Sequence, residues 1–551
     1  MLSVFDSFLG PQIDIGPDGI VAFVLHRGTA SARRCGARFG ENADTSPLHM
    51  LNPADGSHRS IPAPKGWGLF SPLWSWNGRW IALAATDGQG IRPFIFDVVS
   101  GAFRSLAERS LALDGTRPFR WSPDDLLVCR LLPEGNTPFY IDSELRAPAR
   151  AMAAWQMAWT SSAATASVMN GSDLRAMEAP GEACEIDPLS GHLRFAMHAG
   201  AGSDDASNQD GLLCKPSSPA EALQDAPVYS QEVTRNCIGD LAIYLSRDDD
   251  GTRLWTAGVH GTELLFETDQ HLAEITPSRF LTVQFERSDG TQASARCILP
   301  PDYCAGEARP AVMWVYPGTT IGDRPSPEQR LNYSGFFNLQ LLAAQGYVVI
   351  VPEIPDHETW AGRDLVDGLV DAVRSALEAV ASDGLIDRAR VQLFGQSMGG
   401  WAVLTLLAET AFFRSGIAMA SISNLISAHG QFDPRCRYDA TVHEHLSGRR
   451  MIEECWHLPG APSRHLARYV RNSPVFSVER ISAPILLLHG DQDPVPMAQA
   501  EEMFSALRGA GKTVQLVRYW GEGHILSSPA NVRDAWRRIV EWLDLHSLPA
   551  S

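Results

Sequence analysis

Residues 391–401 read Val-Gln-Leu-Phe-Gly-Gln-Ser-Met-Gly-Gly-Trp, a short apolar strand, then Gly395-Gln-Ser397-Met-Gly399-Gly400, which opens an apolar helix. A serine between a strand and a helix that follow each other without a loop must sit on a very sharp turn. The residues packed around that turn cannot carry a Cβ, and Gly395, Gly399 and Gly400 meet that demand. A strand that feeds directly into a helix also implies a parallel sheet with crossover helices, so this short run constrains the architecture of everything around it.

The pattern predicts a serine hydroxyl raised above a sheet edge. A hydroxyl is a poor nucleophile at neutral pH, so it needs a base to take its proton and a carboxylate to orient that base. Candidates follow in the order Ser397, Asp493 (in His489-Gly-Asp-Gln-Asp493-Pro), His524 (in Gly521-Glu-Gly-His524). This is the chain order expected of an α/β-hydrolase.

The chain has 551 residues, more than one hydrophobic core usually supports, and two domains are expected. Residues 1–275 read as short strands punctuated by Gly, Asp, Pro and Asn. One phrase recurs there, a turn followed by an apolar strand, beginning at Ile15-Gly-Pro-Asp-Gly, Trp74-Ser-Trp-Asn-Gly, Trp121-Ser-Pro-Asp-Asp and, more faintly, Asn236-Cys-Ile-Gly-Asp. A recurring turn-plus-strand unit predicts propeller blades, and at ~40–45 residues per blade this half holds about six or seven. Residues 276–551 follow a different grammar. Apolar strands over Ala311–Tyr316, Tyr347–Val351, Val391–Phe394, Pro484–Leu488 and Thr513–Tyr519 alternate with helical stretches over Leu365–Ala381, Trp401–Glu409 and Val532–Leu545. That alternation predicts a doubly wound, mostly parallel sheet covered on both faces. The boundary is placed at Thr276-Pro-Ser.

The net charge of −18, with no basic run, excludes nucleic acid and anionic membrane surfaces as partners. No apolar run approaches the ~18 residues of a transmembrane helix. The first eleven residues lack a positive region and are broken by Asp6 and Pro11, so they do not read as a signal peptide. The nine cysteines are scattered and include no C-x-x-C, which fits reduced thiols. A cytoplasmic location is expected, and a leader missing upstream would make it periplasmic.

A propeller-like half ahead of these motifs resembles the prolyl oligopeptidase family of serine peptidases. The resemblance rests on Ser288-Asp-Gly-Thr, Val315-Tyr316-Pro-Gly, Gly384-Leu-Ile-Asp-Arg-Ala-Arg-Val, Gly395-Gln-Ser-Met-Gly-Gly, Asn472-Ser-Pro-Val-Phe, His489-Gly-Asp-Gln-Asp and Gly521-Glu-Gly-His, in that order across the second half. It implies Ser397 as nucleophile, Asp493 as orienting acid, His524 as base, and an oxyanion hole formed by the Tyr316 phenol and the Met398 backbone N–H. Read without the resemblance, Tyr316 is a tyrosine at the end of a buried strand. Asp491 competes for the acid role, and the H-G-x-x-D spacing selects Asp493.

The chain departs from the family in two places. The loop after Asp493 is one residue short of the common form. The segment Ser421–Ala428, where proline-cleaving members place aromatic rings, has none, and Met398 and Trp401 stand where tyrosine is frequent. A strict demand for proline is therefore not expected. The first half shows no convincing pair of adjacent glutamates to hold a free amino terminus. His443-Glu-His445 lies in a polar insertion without a third ligand and reads as solvated loop. That insertion, Gly430–Arg468, is a candidate lid. Arg471 reads equally as a contact for a substrate carbonyl or carboxylate and as a surface ion pair.

The expected function is a serine peptidase of short peptides, working through an acyl-enzyme, with access restricted by the propeller and with no metal or cofactor. The alternatives are an esterase or acyl hydrolase on the same fold, and an inactive, propeller-based binding protein. The oligomeric state stays open.

Overall fold

Strands whose residues are buried on both faces must be sandwiched, and inner strands of the first half are of this kind. The computed structural model describes residues 3–4, 6–7, 10–27, 46–112, 118–138, 147–160, 181–195, 230–235, 242–248, 251–258, 261–333, 335–355, 365–436, 448–456, 458 and 460–547. Among them the first half holds four four-stranded antiparallel sheets. Each is a meander whose strands are laid down in chain order. The first runs over Ile13–Ile15, Val21–Val24, Leu48–Leu51 and His58–Ile61, and the second over Gly68–Trp74, Trp80–Thr86, Ile91–Asp97 and Ala102–Ser105. The third comprises Phe119–Trp121, Leu127–Leu131, Glu182–Ile186 and Leu193–Phe195, and the fourth Ser230–Arg235, Ala242–Asp248, Gly251–Gly258 and Gly261–Thr268.

The recurring phrase is the turn inside these meanders. Its fifth position takes a left-handed backbone in the three described copies, φ 83° at Gly19, 67° at Gly78 and 55° at Asp125, which explains the Gly and Asp composition. Inner strands such as Trp80–Thr86 are wholly buried, whereas the outer strand His58–Ile61 faces solvent. The buried faces stack in order. Ala22 and Leu48 pack with Phe94 and Phe96, and Phe70 and Ile95 pack with Phe119 and Ile186. Ile13 and Phe23 pack with Ile243 and Leu254, so the fourth sheet lies against the first. Sheets that stack in sequence and bring the last against the first form a β-propeller. The expected count of six or seven extends over stretches such as 196–229 that lie outside the described residues. The faint repeat at Asn236 also begins outside them.

The chain divides into two units, residues 1–149 with 177–275, and residues 150–176 with 276–551. A single boundary at 275/276 was expected, and the structure assigns 150–176 to the second unit instead. The reason lies in the residues: Ala147–Thr160 is a helix with six alanines and two methionines among its 14 residues, and with none of the turn-plus-strand grammar of a blade.

The second unit is an eight-stranded sheet. Its strands are β1 (Arg279–Glu286), β2 (Gln292–Leu299), β3 (Arg309–Trp314), β4 (Val348–Pro352), β5 (Ile386–Gln396), β6 (Gly416–Met419), β7 (Ile485–Gly490) and β8 (Val514–Tyr519). Their spatial order is β1-β2-β4-β3-β5-β6-β7-β8, with β1 and β2 antiparallel and the pairs from β4 to β8 parallel. The main helices are α1 (Leu365–Ser382), α2 (Met398–Glu409), α3 (Ala498–Gly509) and α4 (Pro529–Ser547). One face of the sheet packs under α1 and α2 through Leu369, Val373, Leu393 and Leu404. The other packs under α4 through Val312, Phe394, Leu488 and Ile539. The chain is thus a β-propeller plus an α/β-hydrolase.

Among the described residues four cysteines are free thiols: Cys129, Cys184 and Cys297, all buried, and the exposed Cys304. Cys129 and Cys184 sit directly opposite on neighbouring strands, with Sγ atoms 3.6 Å apart. The spacing of cysteines along the sequence gave no hint of that meeting.

The contact between the first and fourth sheets carries a titratable pair. His49 stacks on Phe23 with ring centroids 4.8 Å apart, Phe266 of the fourth sheet lies 6.0 Å from it, and its Nδ1 is 3.0 Å from His58 Nε2. Burial, reinforced by the neighbouring His58, lowers the His49 pKa from 6.5 to about 4. The imidazole is therefore neutral when folded and must take up a proton in a hostile site as pH falls. Its contribution to stability is complete above pH 6.5 and is lost as pH drops toward 4. The loss amounts to about 2 kcal/mol by about pH 5. His49→Phe keeps an aromatic ring in the stack without a titratable group. Thermal unfolding of both proteins is expected to show the variant gaining on the wild type by about that amount between about pH 7.5 and pH 5. A pH-independent difference would remove His49 as the cause.

Candidate active site

The parallel register brings the candidate residues together. Trp314 pairs with Phe394, and the Val315 N–H donates to the Phe394 carbonyl at 3.0 Å, so Tyr316 and Gln396 leave adjacent strand ends side by side. Gln396 pairs with Met419, Met419 with Leu488, and Gly490 with Tyr519. Ser397, Asp493, His524 and Tyr316 therefore all lie within a few residues of the carboxyl ends of strands, where open α/β sheets place their sites.

Ser397 has φ 58° and ψ −118°, a backbone conformation that costs a non-glycine residue about 1–3 kcal/mol. Its surroundings hold it there. The Ser397 N–H donates to the Met419 carbonyl at 2.9 Å, and the Trp401 N–H donates back to the Ser397 carbonyl at 3.1 Å. A Cβ on Gly395 would meet the Gly399 carbonyl, one on Gly399 would meet the Val315 carbonyl, and one on Gly400 would lie 2.7 Å from the Ser421 Cβ. The glycines of the pentapeptide are thus demanded by backbone-to-backbone approach.

Asp493 is fully buried, and its Oδ1 accepts from the Val495 N–H at 2.8 Å and from His524 Nδ1 at 2.8 Å. A carboxylate can only accept, so Nδ1 carries the proton and the Nε2 lone pair is left available. Asp493 Oδ2 lies 3.4 Å from Nε2 of the buried His489, which donates to the Val495 carbonyl at 2.8 Å. Burial lowers the His489 pKa, so this ring stays neutral beside the acid. The side chain of His524 is 29% exposed. Gln396 Nε2 donates to the His524 carbonyl at 3.2 Å, which ties the residue before the serine to the histidine.

The Tyr316 phenol lies beside the Ser397 side chain. Burial, the larger effect, raises its pKa above the usual 10 against a smaller lowering by Ser397, and keeps it a proton donor. Met398 begins α2, where the backbone N–H groups of the first turn have no partner within the helix. Asp491 does not touch His524: its Oδ1 accepts from the Gly521 N–H at 2.6 Å, which stitches the loop after β7 to the loop after β8.

Other residues singled out in the sequence fall elsewhere. Arg471 is held by Glu409 at 2.6 Å and Asp367 at 2.9 Å, the ion-pair reading. Trp401 is wholly buried, lies edge-on to Trp456 at 5.3 Å and donates from Nε1 to the Asn472 carbonyl at 2.8 Å, so it braces the core. His443 and His445 lie outside the described residues, as does most of the middle of the insertion. Among the described residues no three His, Cys, Asp or Glu side chains are grouped to hold a metal ion, and no helix is long and apolar enough to cross a membrane.

Sequence reasoning missed Gln499. It is buried, accepts from the Ser423 N–H (3.1 Å) and Asn424 N–H (2.9 Å) through Oε1, and donates to Ser427 Oγ and Gln431 Oε1 at 2.9 Å each. It thereby fastens the segment 421–428 to α3. A single glutamine in an amphipathic helix carries no signal of such a partner.

A strained serine on a strand-to-helix turn, an acid–histidine pair after later strands and a tyrosine beside the serine define an α/β-hydrolase with the apparatus of a serine hydrolase. Residues 332–548 match the Prolyl oligopeptidase family. The chain carries that match over 217 of its 551 residues (548 − 332 + 1). It is 26% identical over 302 residues to the uncharacterized peptidase YuxL of Bacillus subtilis, a match covering 52% of this chain and 42% of that protein. It is 28% identical over 284 residues to a probable glutamyl endopeptidase of Arabidopsis thaliana chloroplasts, covering 48% of this chain and 27% of that one. The matches span less than half the length of these relatives. Among solved structures, the acylaminoacyl peptidase of Pyrococcus horikoshii superposes with a TM-score of 0.64 at 14% identity, over 96% of this chain and 94% of that one. That likeness covers both halves and concerns the fold.

The tight contacts at the turn generate a test. Gly395→Ala forces a methyl group into the Gly399 carbonyl and is expected to destabilise the second unit by more than about 2 kcal/mol. Urea unfolding measures this, and a cost below about 0.5 kcal/mol, the level of a neutral surface change, would show that the turn can relax.

Proposed function

We propose that this chain is a serine peptidase that cleaves short peptides through an acyl-enzyme, with Ser397 as nucleophile, His524 as base, Asp493 as orienting acid, and the Tyr316 phenol and Met398 N–H as the oxyanion hole. The observation that carries the reading is the Asp493–His524 bond at 2.8 Å together with a strained Ser397 whose side chain lies beside Tyr316.

In this mechanism His524 Nε2 takes the Ser397 hydroxyl proton as the oxygen attacks the peptide carbonyl. Negative charge then gathers on the carbonyl oxygen, where a phenol kept protonated by burial is a ready donor. The imidazolium, held by Asp493, passes its proton to the leaving amine as the C–N bond breaks. Water, activated by the same histidine, then releases the acid from the serine ester. Residues Ser421–Leu425 are buried and carry no aromatic ring, so they offer no stacking surface for a proline. Weak selectivity at the residue before the cut follows. The fold likeness across both halves supports the further reading that the propeller limits access to short peptides.

Three measurements test this. A fluorophosphonate probe is expected to label Ser397 alone, and Ser397→Ala is expected to lose labelling while remaining folded; a labelled Ala variant would end the assignment. Tyr316→Phe is expected to lower kcat by on the order of 10²-fold with KM nearly unchanged, the pattern of a contact made mainly in the transition state. Finally, matched peptide anilides, p-nitrophenyl esters and a folded protein are compared on the same preparation. Hydrolysis of esters alone would favour the acyl-hydrolase alternative, and equal rates on folded protein and short peptides would rule out restricted access.

A further inference from the structure

The mechanism above makes no use of Glu522, yet its side chain is fully buried two residues before His524. Its carboxylate reaches across the loop that carries the histidine. Oε2 accepts from the Ser527 N–H at 2.8 Å and, more weakly, from the Ser527 hydroxyl at 3.4 Å. Oε1 accepts from the Ser528 N–H at 3.1 Å and from Asn531 Nδ2 at 2.7 Å. The backbone carbonyl of Glu522 accepts from the Gln492 N–H at 2.9 Å, in the loop of the acid. One residue therefore closes the loop 522–528 into a ring with His524 inside it and fastens that ring to the Asp493 loop.

The chemistry of the site requires a carboxylate. Four donors converge on the two oxygens, which replaces the water a buried charge loses. The site also lies just ahead of α4, whose N-terminal end favours a negative group. Glutamine has the same shape, but its NH₂ group would face donors and leave at least one of them without an acceptor. Aspartate is one methylene shorter and cannot span from the start of the loop to its end.

The need for such a brace follows from how little else holds the histidine. The imidazole is part-exposed and is gripped at Nδ1 by Asp493, while the backbone is tied at its carbonyl by Gln396. Where the ring sits thus depends on where the loop backbone sits. Resting on the reading of His524 as the base, we infer that Glu522 is a positioning residue, a buried carboxylate that fixes the loop and so aims His524 at Ser397.

The test compares wild type, Glu522→Gln and Asn531→Ala in the full chain. It measures thermal unfolding, the rate of fluorophosphonate labelling, and kcat and KM on a peptide anilide. Glu522→Gln is expected to fold, to lose about 10- to 100-fold in labelling rate and kcat, and to keep KM within about threefold, as a small misplacement of a catalytic group does. Asn531→Ala removes one donor from the first turn of α4 without altering the loop, and is expected to lower kcat about three- to tenfold with KM unchanged. A folded Glu522→Gln with wild-type kcat, or one that raises KM alone, overturns the inference. Should that variant fail to fold, wild-type kcat in Asn531→Ala does so. An inert wild-type chain would instead overturn the reading of His524 as base, and this inference with it.

Discussion

Three stretches of backbone touch at the Ser397 turn with no side chain between them, and the geometry of the second unit is built around that contact. Gly395 approaches the Gly399 carbonyl, Gly399 approaches the Val315 carbonyl, and Gly400 lies against Ser421. These contacts bring β3, β5 and the segment after β6 close enough for a left-handed serine to be held by its neighbours rather than by its own preference. The strain is local and the compensation is distributed: Trp314 packs edge-on to Phe394 at 5.0 Å directly beneath the turn, and Trp401 pins the far side to Asn472. A hydroxyl held this way loses little further freedom when it meets a carbonyl.

The loops after β7 and β8 obey a different physics, that of buried charge. Asp493 and Glu522 are both withdrawn from water; Glu522 meets four donors, while Asp493 accepts at Oδ1 from the Val495 N–H and from His524. Asp491 adds a third carboxylate, tying Gly521 back to the acid loop. Even glycine serves this stitching, since a Cβ on Gly490 would strike the Glu522 carbonyl. Negative groups organise the backbone here, and the one imidazole that faces out is the group left to exchange protons.

What the sequence revealed depended on whether a property was local. The elbow, the alternation of apolar strands and helices, and the turn phrase with its left-handed fifth residue are each written in a few adjacent residues. All of them were legible. The apolar run Ala311–Tyr316 made Tyr316 readable as a strand-end tyrosine, and its place beside Ser397 needed the register of β3 with β5. The roles of Glu522, Gln499 and Arg471 were hidden for a related reason: a polar residue shows its type in sequence but not its partner. Cys129 and Cys184, 55 residues apart, likewise meet only through strand register. The helix at Ala147–Thr160 was overlooked because the surrounding strand grammar was extended across it.

That helix has a consequence for how the chain is made. Residues 150–176 emerge from the ribosome ahead of all the strands of the sheet with which they are grouped. Until β1 to β8 have been synthesised, the described part of that segment, the end of the helix Ala147–Thr160, has no sheet of its own unit to join. The division also means that no single cut of the chain yields two pieces each holding all of its own parts, so separating the halves by truncation would strand this helix in the wrong fragment.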